Sequence, residues 1–165
     1  MIPARANRFQ LAVVFLLLAV LHFYVRPRLG WSRASPDFLF VGLLLYAMRS
    51  PPGAAALAGF AIGLAADSLT PARFGAATLA HTVAGYLASW ARAVFFADNL
   101  LVNAAFVASG LWLRDLIVLA LSGGGDRSLV TELAVYSPLQ AITSALFALL
   151  VLLAFRQWFS IRLDA

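Results

Sequence analysis

Residues 53–87 read GAAALAGFAIGLAADSLTPARFGAATLAHTVAGYL, two apolar runs joined by a short polar turn. Side chains four residues apart share one face of a helix. The first run predicts a stripe of small residues that ends in a carboxylate: Ala55, Gly59, Gly63 and Asp67. The second run predicts a similar stripe that contains a histidine: Ala77, His81, Gly85 and Ser89. Because small residues let helices approach closely in a bilayer, we expect this hairpin to form the packed centre of a helical membrane protein.

Composition indicates the same class of protein. The chain of 165 residues is 63% hydrophobic and 12% charged, and its mean hydropathy is +0.91. This composition is too apolar for a soluble domain of this length. The absence of cysteine excludes a disulfide framework and a thiolate metal site. All 12 basic residues are arginines scattered between apolar runs, which argues against nucleic-acid binding.

The apolar runs and their polar breaks predict an all-α integral membrane protein, a six-helix transmembrane bundle with a short second helix. We expect one transmembrane domain over residues 1–165, with an uncleaved first helix. The predicted helices occupy about residues 9–25, 36–49, 53–69, 74–96, 100–121 and 133–155. Six spans place both termini on one side. That side holds six arginines against five on the other, if Arg114 inside the fifth helix is left out, which slightly favours cytoplasmic termini.

Helix direction places several polar side chains in the membrane half farther from the termini. This predicted polar cluster consists of His22, Asp67, His81, Arg114 and Asp115, with Asp37 in the same half. Such groups are costly where they touch lipid, so we expect protein to shield them. Asp67 or Asp115 would pair with Arg114, and we predict that Asp67 and Arg114 brace the third and fifth helices. The cluster is either a structural knot or the floor of a cavity for a ligand or a partner's segment.

Other chemistry has weaker support in the sequence. His22, His81 and Asp67 include metal-binding residue types, but no two histidines lie four apart on one helix. The helix serines lie in no recognisable nucleophile motif near a base. Movement of protons or ions through the cluster is a further alternative. We therefore predict no catalytic residue, no metal and no cofactor.

The central hairpin resembles a known family. Its pattern is Gly59-Phe60-x-x-Gly63-Leu64-x-x-Asp67, then Gly75, then Gly85-Tyr86-Leu87, and Pro36-Asp37 and Tyr46 mark the second segment. This ordered set resembles the core of the bacterial rod-shape-determining membrane protein family MreD. The resemblance in layout covers most of the chain, and its motifs lie between residues 36 and 87.

The resemblance implies a non-enzymatic, multi-pass protein of the bacterial inner membrane with cytoplasmic termini. Its fold would be similar to the substrate-binding subunits of energy-coupling-factor vitamin transporters. The implied partner is MreC, which has a single membrane helix and a periplasmic domain. MreB, a RodA-type glycosyltransferase and a class B penicillin-binding protein are implied as indirect partners in peptidoglycan synthesis. Self-association stays open. We expect the partner over the far face, near these residues: Arg28, Trp31, Arg73 and Asp126.

The alternative function is a small-molecule-binding subunit of an energy-coupling-factor-type transporter. Such subunits carry alanines four apart on the first helix, where the coupling protein binds. Here Ala12 and Ala19 are seven apart, which favours the scaffold.

Overall fold

The computed structural model describes residues 8–30, 33–69, 73–94, 100–122 and 130–155. Every regular element in these ranges is helical, which confirms the all-helical prediction. The α-helices are α1 (Arg8–Val20), α2 (Phe38–Ala47), α3 (Pro52–Ser68), α4 (Ala76–Val94), α5 (Leu100–Leu121) and α6 (Ser137–Ala154). The second helix is the shortest, with 10 residues.

Two of these helices are extended by π-helical turns. The turn Leu21–Val25 continues α1, and the turn Glu132–Tyr136 leads into α6. Within the described residues, two helical segments are long and apolar enough to cross a membrane: Leu101–Leu121 and Glu132–Ala154. α2 and α3 are apolar but shorter. The bundle of six spans therefore stays a prediction.

α2 lies at the centre of the bundle, in contact with α1, α3, α4, α5 and α6. Eight of its 10 residues are buried, including Phe40, Val41 and Leu43. A helix that is apolar on every side is stable only when other elements surround it. The 53–87 hairpin is closely packed along its predicted small-residue face, where Ala55, Gly59, Gly63 and Asp67 are buried. The opposite face of α3 is turned outward and exposes Leu57 and Phe60.

The small-residue stripes bring α3 and α4 into backbone contact. A Cβ at Gly63 would lie 2.5 Å from the Cα of Thr78. One at Gly59 would collide with a carbonyl of α4, and one at Gly85 would lie 2.5 Å from the carbonyl oxygen of Ala55. Real Cβ atoms do not approach this closely, so only glycine permits this spacing of the two helices.

α5 packs between α4 and α6, and its residues Val107 and Leu111 are fully buried. α1, α3 and α5 end where α2, α4 and α6 begin. We call this side of the bundle the far end, because it lies opposite the first residue of α1. Most of the buried charged side chains are found there.

Candidate functional site

Asp37 is the residue around which the polar groups of the far end are arranged. It is the N-cap of α2, and its Oδ1 accepts a hydrogen bond from the Phe40 N–H at 3.1 Å. The N–H of Asp37 donates to Ser144 Oγ on α6 at 3.0 Å. An N-cap carboxylate satisfies an amide that the helix leaves unpaired and lies at the positive end of the helix dipole. The start of α2 is thereby attached to α6.

Arg114 on α5 supplies the positive charge opposite Asp37. Its Nη1 donates to Asp37 Oδ2, and its Nε and Nη2 donate to Asp115 Oδ1 at 2.9 and 2.7 Å. The guanidinium carbon lies 4.9 Å from the centre of the Phe40 ring, which adds a cation–π contact. Arg114 is 8% exposed, so the carboxylates replace most of the water that this charge would otherwise bind.

Two residues of the first turn of α6 complete the contact with α5. Ser137 Oγ donates to Asp115 Oδ2 at 2.6 Å. Gln140 Oε1 accepts from Arg114 Nη2 at 3.4 Å, and its Nε2 donates to the Ser35 carbonyl at 3.3 Å. The amide of Gln140 therefore connects α5 to the segment before α2.

The end of α1 joins the same group. His22 Nδ1 lies 3.4 Å from Asp37 Oδ1, and Arg26 Nη1 lies 4.0 Å from Asp37 Oδ2. Arg26 Nε also donates to Ser35 Oγ at 3.3 Å. We call the connected set the far-end network, and its members are His22, Arg26, Asp37, Arg114, Asp115, Ser137 and Gln140. It joins the adjacent ends of α1, α2, α5 and α6.

His81 lies next to this network, on α4. Its Nδ1 is 2.8 Å from the Ala77 carbonyl oxygen, and its ring meets the Phe40 ring edge to face at 5.4 Å. Phe40 thus separates His81 from the Arg114 guanidinium. The described residues contain no group of three or more His, Cys, Asp or Glu side chains placed to hold a metal ion.

The prediction that Asp67 pairs with Arg114 is wrong. Asp67 accepts hydrogen bonds from the N–H groups of Gly75, Ala77 and Thr78, and also from the Thr78 hydroxyl at 2.5 Å. The first amides of a helix have no partner within it, and a negative charge is favoured beside them. Asp67 lies in the last turn of α3, next to the start of α4, so it caps α4 from the neighbouring helix. Gly75 adopts a φ of 95°, which turns the chain back toward Asp67.

Asp37 lies beside Arg114, a pairing that the sequence did not predict although both residues were expected in the same half of the bundle. The contact of Ser137 was not predicted either. The Pro36-Asp37 pair was a usable signal, because an N-cap carboxylate at a buried helix start requires a compensating charge.

A cavity of about 320 Å³ opens beside the far-end network. Residues from the α1–α2 connection, the α3–α4 connection, α5 and the start of α6 line it. Four arginines and two acidic residues are among them: Arg26, Arg33, Arg73, Arg114, Asp115 and Glu132. The two structures that the sequence allowed at this end, a braced network and a cavity, therefore occur together.

Two of the residues predicted to face a partner can be located. Arg28 and Arg73 are exposed at the far end. Trp31 and Asp126 lie outside the described residues.

Comparison with known proteins identifies a family. A family model described as rod shape-determining protein MreD matches residues 4–160. No curated protein and no solved structure matches the chain. Because the family match covers nearly the whole chain, this membrane protein belongs to the MreD family, whose role is the determination of rod shape.

Proposed function

We propose that this MreD-family protein is a non-enzymatic scaffold subunit of the bacterial cell-wall elongation complex, and that it binds and positions MreC. The observation that carries the proposal is the family match over residues 4–160. Since the match includes all six helices, it applies to the whole bundle and not to one motif.

The proposed location is the inner membrane, with six spans and cytoplasmic termini. The helical stretch from residue 8 to residue 25 has 18 residues, or about 27 Å at 1.5 Å per residue, which is close to the thickness of the hydrocarbon core. The central position of α2 supports this topology despite its 10 residues, because the surrounding helices shield it from lipid. The small excess of arginines on the terminal side agrees with cytoplasmic termini.

A structural role is supported by how the polar side chains are used. Asp37 and Asp115 both bind Arg114, and Asp67 caps α4. Nucleophilic catalysis needs a nucleophile and a base that can reach a substrate. Carboxylates that already accept several hydrogen bonds suit a brace that keeps the far end rigid. A rigid far end is what a scaffold needs in order to hold a partner in one orientation.

α6 offers a surface that suits a partner with a single membrane helix. Large apolar side chains recur along its outer face at intervals of three and four residues: Leu139, Ile142, Leu146, Leu150 and Leu153. Side chains at this spacing form a continuous ridge along a helix. A second helix can pack against such a ridge by accepting it in its own groove. We infer that the MreC membrane helix packs along this α6 ridge.

Co-purification tests the proposal. The tagged protein is co-expressed with MreC from the same organism, captured in mild detergent and analysed for MreC. An unrelated single-span protein at matched expression serves as the control. We expect MreC to be retained and the control to be lost. If MreC is lost as completely as the control, while the captured protein stays folded, the scaffold function is refuted.

Crosslinking tests the proposed contact. A photo-reactive amino acid at Leu146 on α6 is compared with one at Leu57 on α3; these side chains are 56% and 71% exposed. We expect a crosslink to MreC from Leu146 and none from Leu57. Equal crosslinking from both positions would mean that the α6 ridge is not the contact.

A further inference from the structure

The cavity at the far end has an excess of positive charge. Four arginines and two acidic residues line it, which leaves two positive charges if all six are ionised. Ser137 and Gln140 add hydrogen-bonding groups to its wall. A volume of about 320 Å³ is at the lower end of the range for small-molecule sites, so a compact group would fill it.

The arginines differ in how completely carboxylates neutralise them. Arg114 is held by Asp37 and Asp115. Arg33 lies 3.9 Å from Glu132, at a distance where the attraction between exposed groups is weak. Arg73 forms no hydrogen bond or ion pair with any residue in the part of the chain that the structure describes. The positive charge at the mouth of the cavity is therefore available to a ligand.

The depth of the cavity suits the headgroup region of a membrane. Arg114 lies seven residues before the end of α5, or about 10 Å at 1.5 Å per residue. Arg33 and Arg73 lie in the connections outside the helices. An anion in the cavity would therefore sit between the end of the apolar spans and water. Basic pockets between helices at this depth bind anionic headgroups.

We propose that this cavity binds a phosphate-bearing anion. The planar guanidinium group of arginine presents N–H donors that match the spacing of phosphate oxygens and form paired, charge-assisted hydrogen bonds with them. The phosphate belongs to an anionic lipid headgroup or to a soluble phosphate or pyrophosphate. Arg73 and Arg33 would contact it first, because Arg114 is already bound to two carboxylates.

Native mass spectrometry of the purified full-length protein in neutral detergent tests the site. Phosphatidylglycerol, phosphatidylcholine and inorganic pyrophosphate are titrated separately. We expect at least one of the two anions to bind at least about tenfold more tightly than phosphatidylcholine, as expected for one or more charge-assisted hydrogen bonds. Selective binding of phosphatidylglycerol identifies a lipid headgroup as the source, and selective binding of pyrophosphate identifies a soluble anion.

Arg73→Gln and Arg28→Gln form the matched pair of variants. Both remove one positive charge from the far end, but Arg28 is not part of the cavity lining and donates to the Tyr24 carbonyl. We expect Arg73→Gln to weaken anion binding about five- to tenfold and Arg28→Gln to leave it unchanged. Arg33→Gln provides a second cavity variant if Arg73→Gln lowers the melting temperature.

Two results would overturn the proposal. One is equal binding of the anions and phosphatidylcholine. The other is an equal loss of anion binding in folded Arg73→Gln and Arg28→Gln. The assay contains no MreC, so its failure leaves the proposed scaffold function untouched, and a failure of MreC capture leaves the anion site untouched.

Discussion

Substitution of Asp37 tests the far-end network, because two different contacts of one side chain can be removed in steps. Asp37→Asn removes the negative charge opposite Arg114 but keeps an oxygen that can accept from the Phe40 N–H. Asp37→Ala removes both contacts. The bond from the Asp37 N–H to Ser144 comes from the backbone and is retained in both variants.

The size of the expected loss in unfolding free energy follows from the burial of the Asp37–Arg114 ion pair. Removal of one partner from a buried ion pair costs about 3–5 kcal/mol, because the other charge is left uncompensated. Arg114 keeps Asp115 in Asp37→Asn, so we take the lower end, about 3 kcal/mol. Loss of an N-cap adds about 1 kcal/mol. Asp37→Ala should therefore lower the free energy of unfolding by about 4 kcal/mol.

The assay is reversible unfolding of the purified protein in mixed micelles, followed by circular dichroism. Glu132→Gln is the control, since Glu132 is half-exposed and lies 3.9 Å from its arginine partner. An exposed pair of this kind contributes less than about 1 kcal/mol. If Asp37→Asn costs no more than Glu132→Gln, the reasoning about the buried ion pair is refuted.

Two further predictions concern the α3–α4 hairpin and use the same assay. Gly63→Ala should lower the free energy of unfolding by about 1–3 kcal/mol, because its Cβ would lie 2.5 Å from the α4 backbone. Gly53→Ala, whose Cβ has no neighbour within 4 Å, should cause no loss, and equal effects would contradict the close packing. Asp67→Ala should cost about 2–4 kcal/mol, because four donors lose their acceptor. In the double variant, the losses of unfolding free energy from Asp67→Ala and Arg114→Gln should add to within about 0.5 kcal/mol. A larger coupling energy would indicate that Asp67 and Arg114 interact, as the sequence suggested.

The helices and their close contacts could be predicted from local patterns. Gly59, Gly63 and Gly85 recur at spacings that align small residues on helix faces, and the structure buries Gly59 and Gly63 against α4. The central position of α2 also left a signal in the sequence. Its residues are apolar on every side, as expected for a helix that other helices surround.

The pairing of the charged residues could not be predicted in the same way. In the predicted six-span topology, Asp37, Asp67 and Asp115 all lie in the same membrane half as Arg114. The choice among them depends on which helix ends meet, and Asp37 is 77 residues from Arg114 in the chain. Asp67 instead accepts hydrogen bonds from the amides at the start of α4, which have no partner within their own helix. Competition from backbone donors is a three-dimensional property that helix spacing does not encode.

We expect the helices to cross the membrane and to place the far-end network on the side opposite the termini. The sequence contains no cysteine, so single cysteines can be introduced without further changes. The decisive measurement is labelling of Arg73→Cys, in the connection between α3 and α4, and of Gly53→Cys, in the first turn of α3, by a membrane-impermeant maleimide in intact cells. We expect Arg73→Cys to be labelled at once and Gly53→Cys to be labelled only after the cells are disrupted. Labelling of both positions in intact cells would contradict this topology.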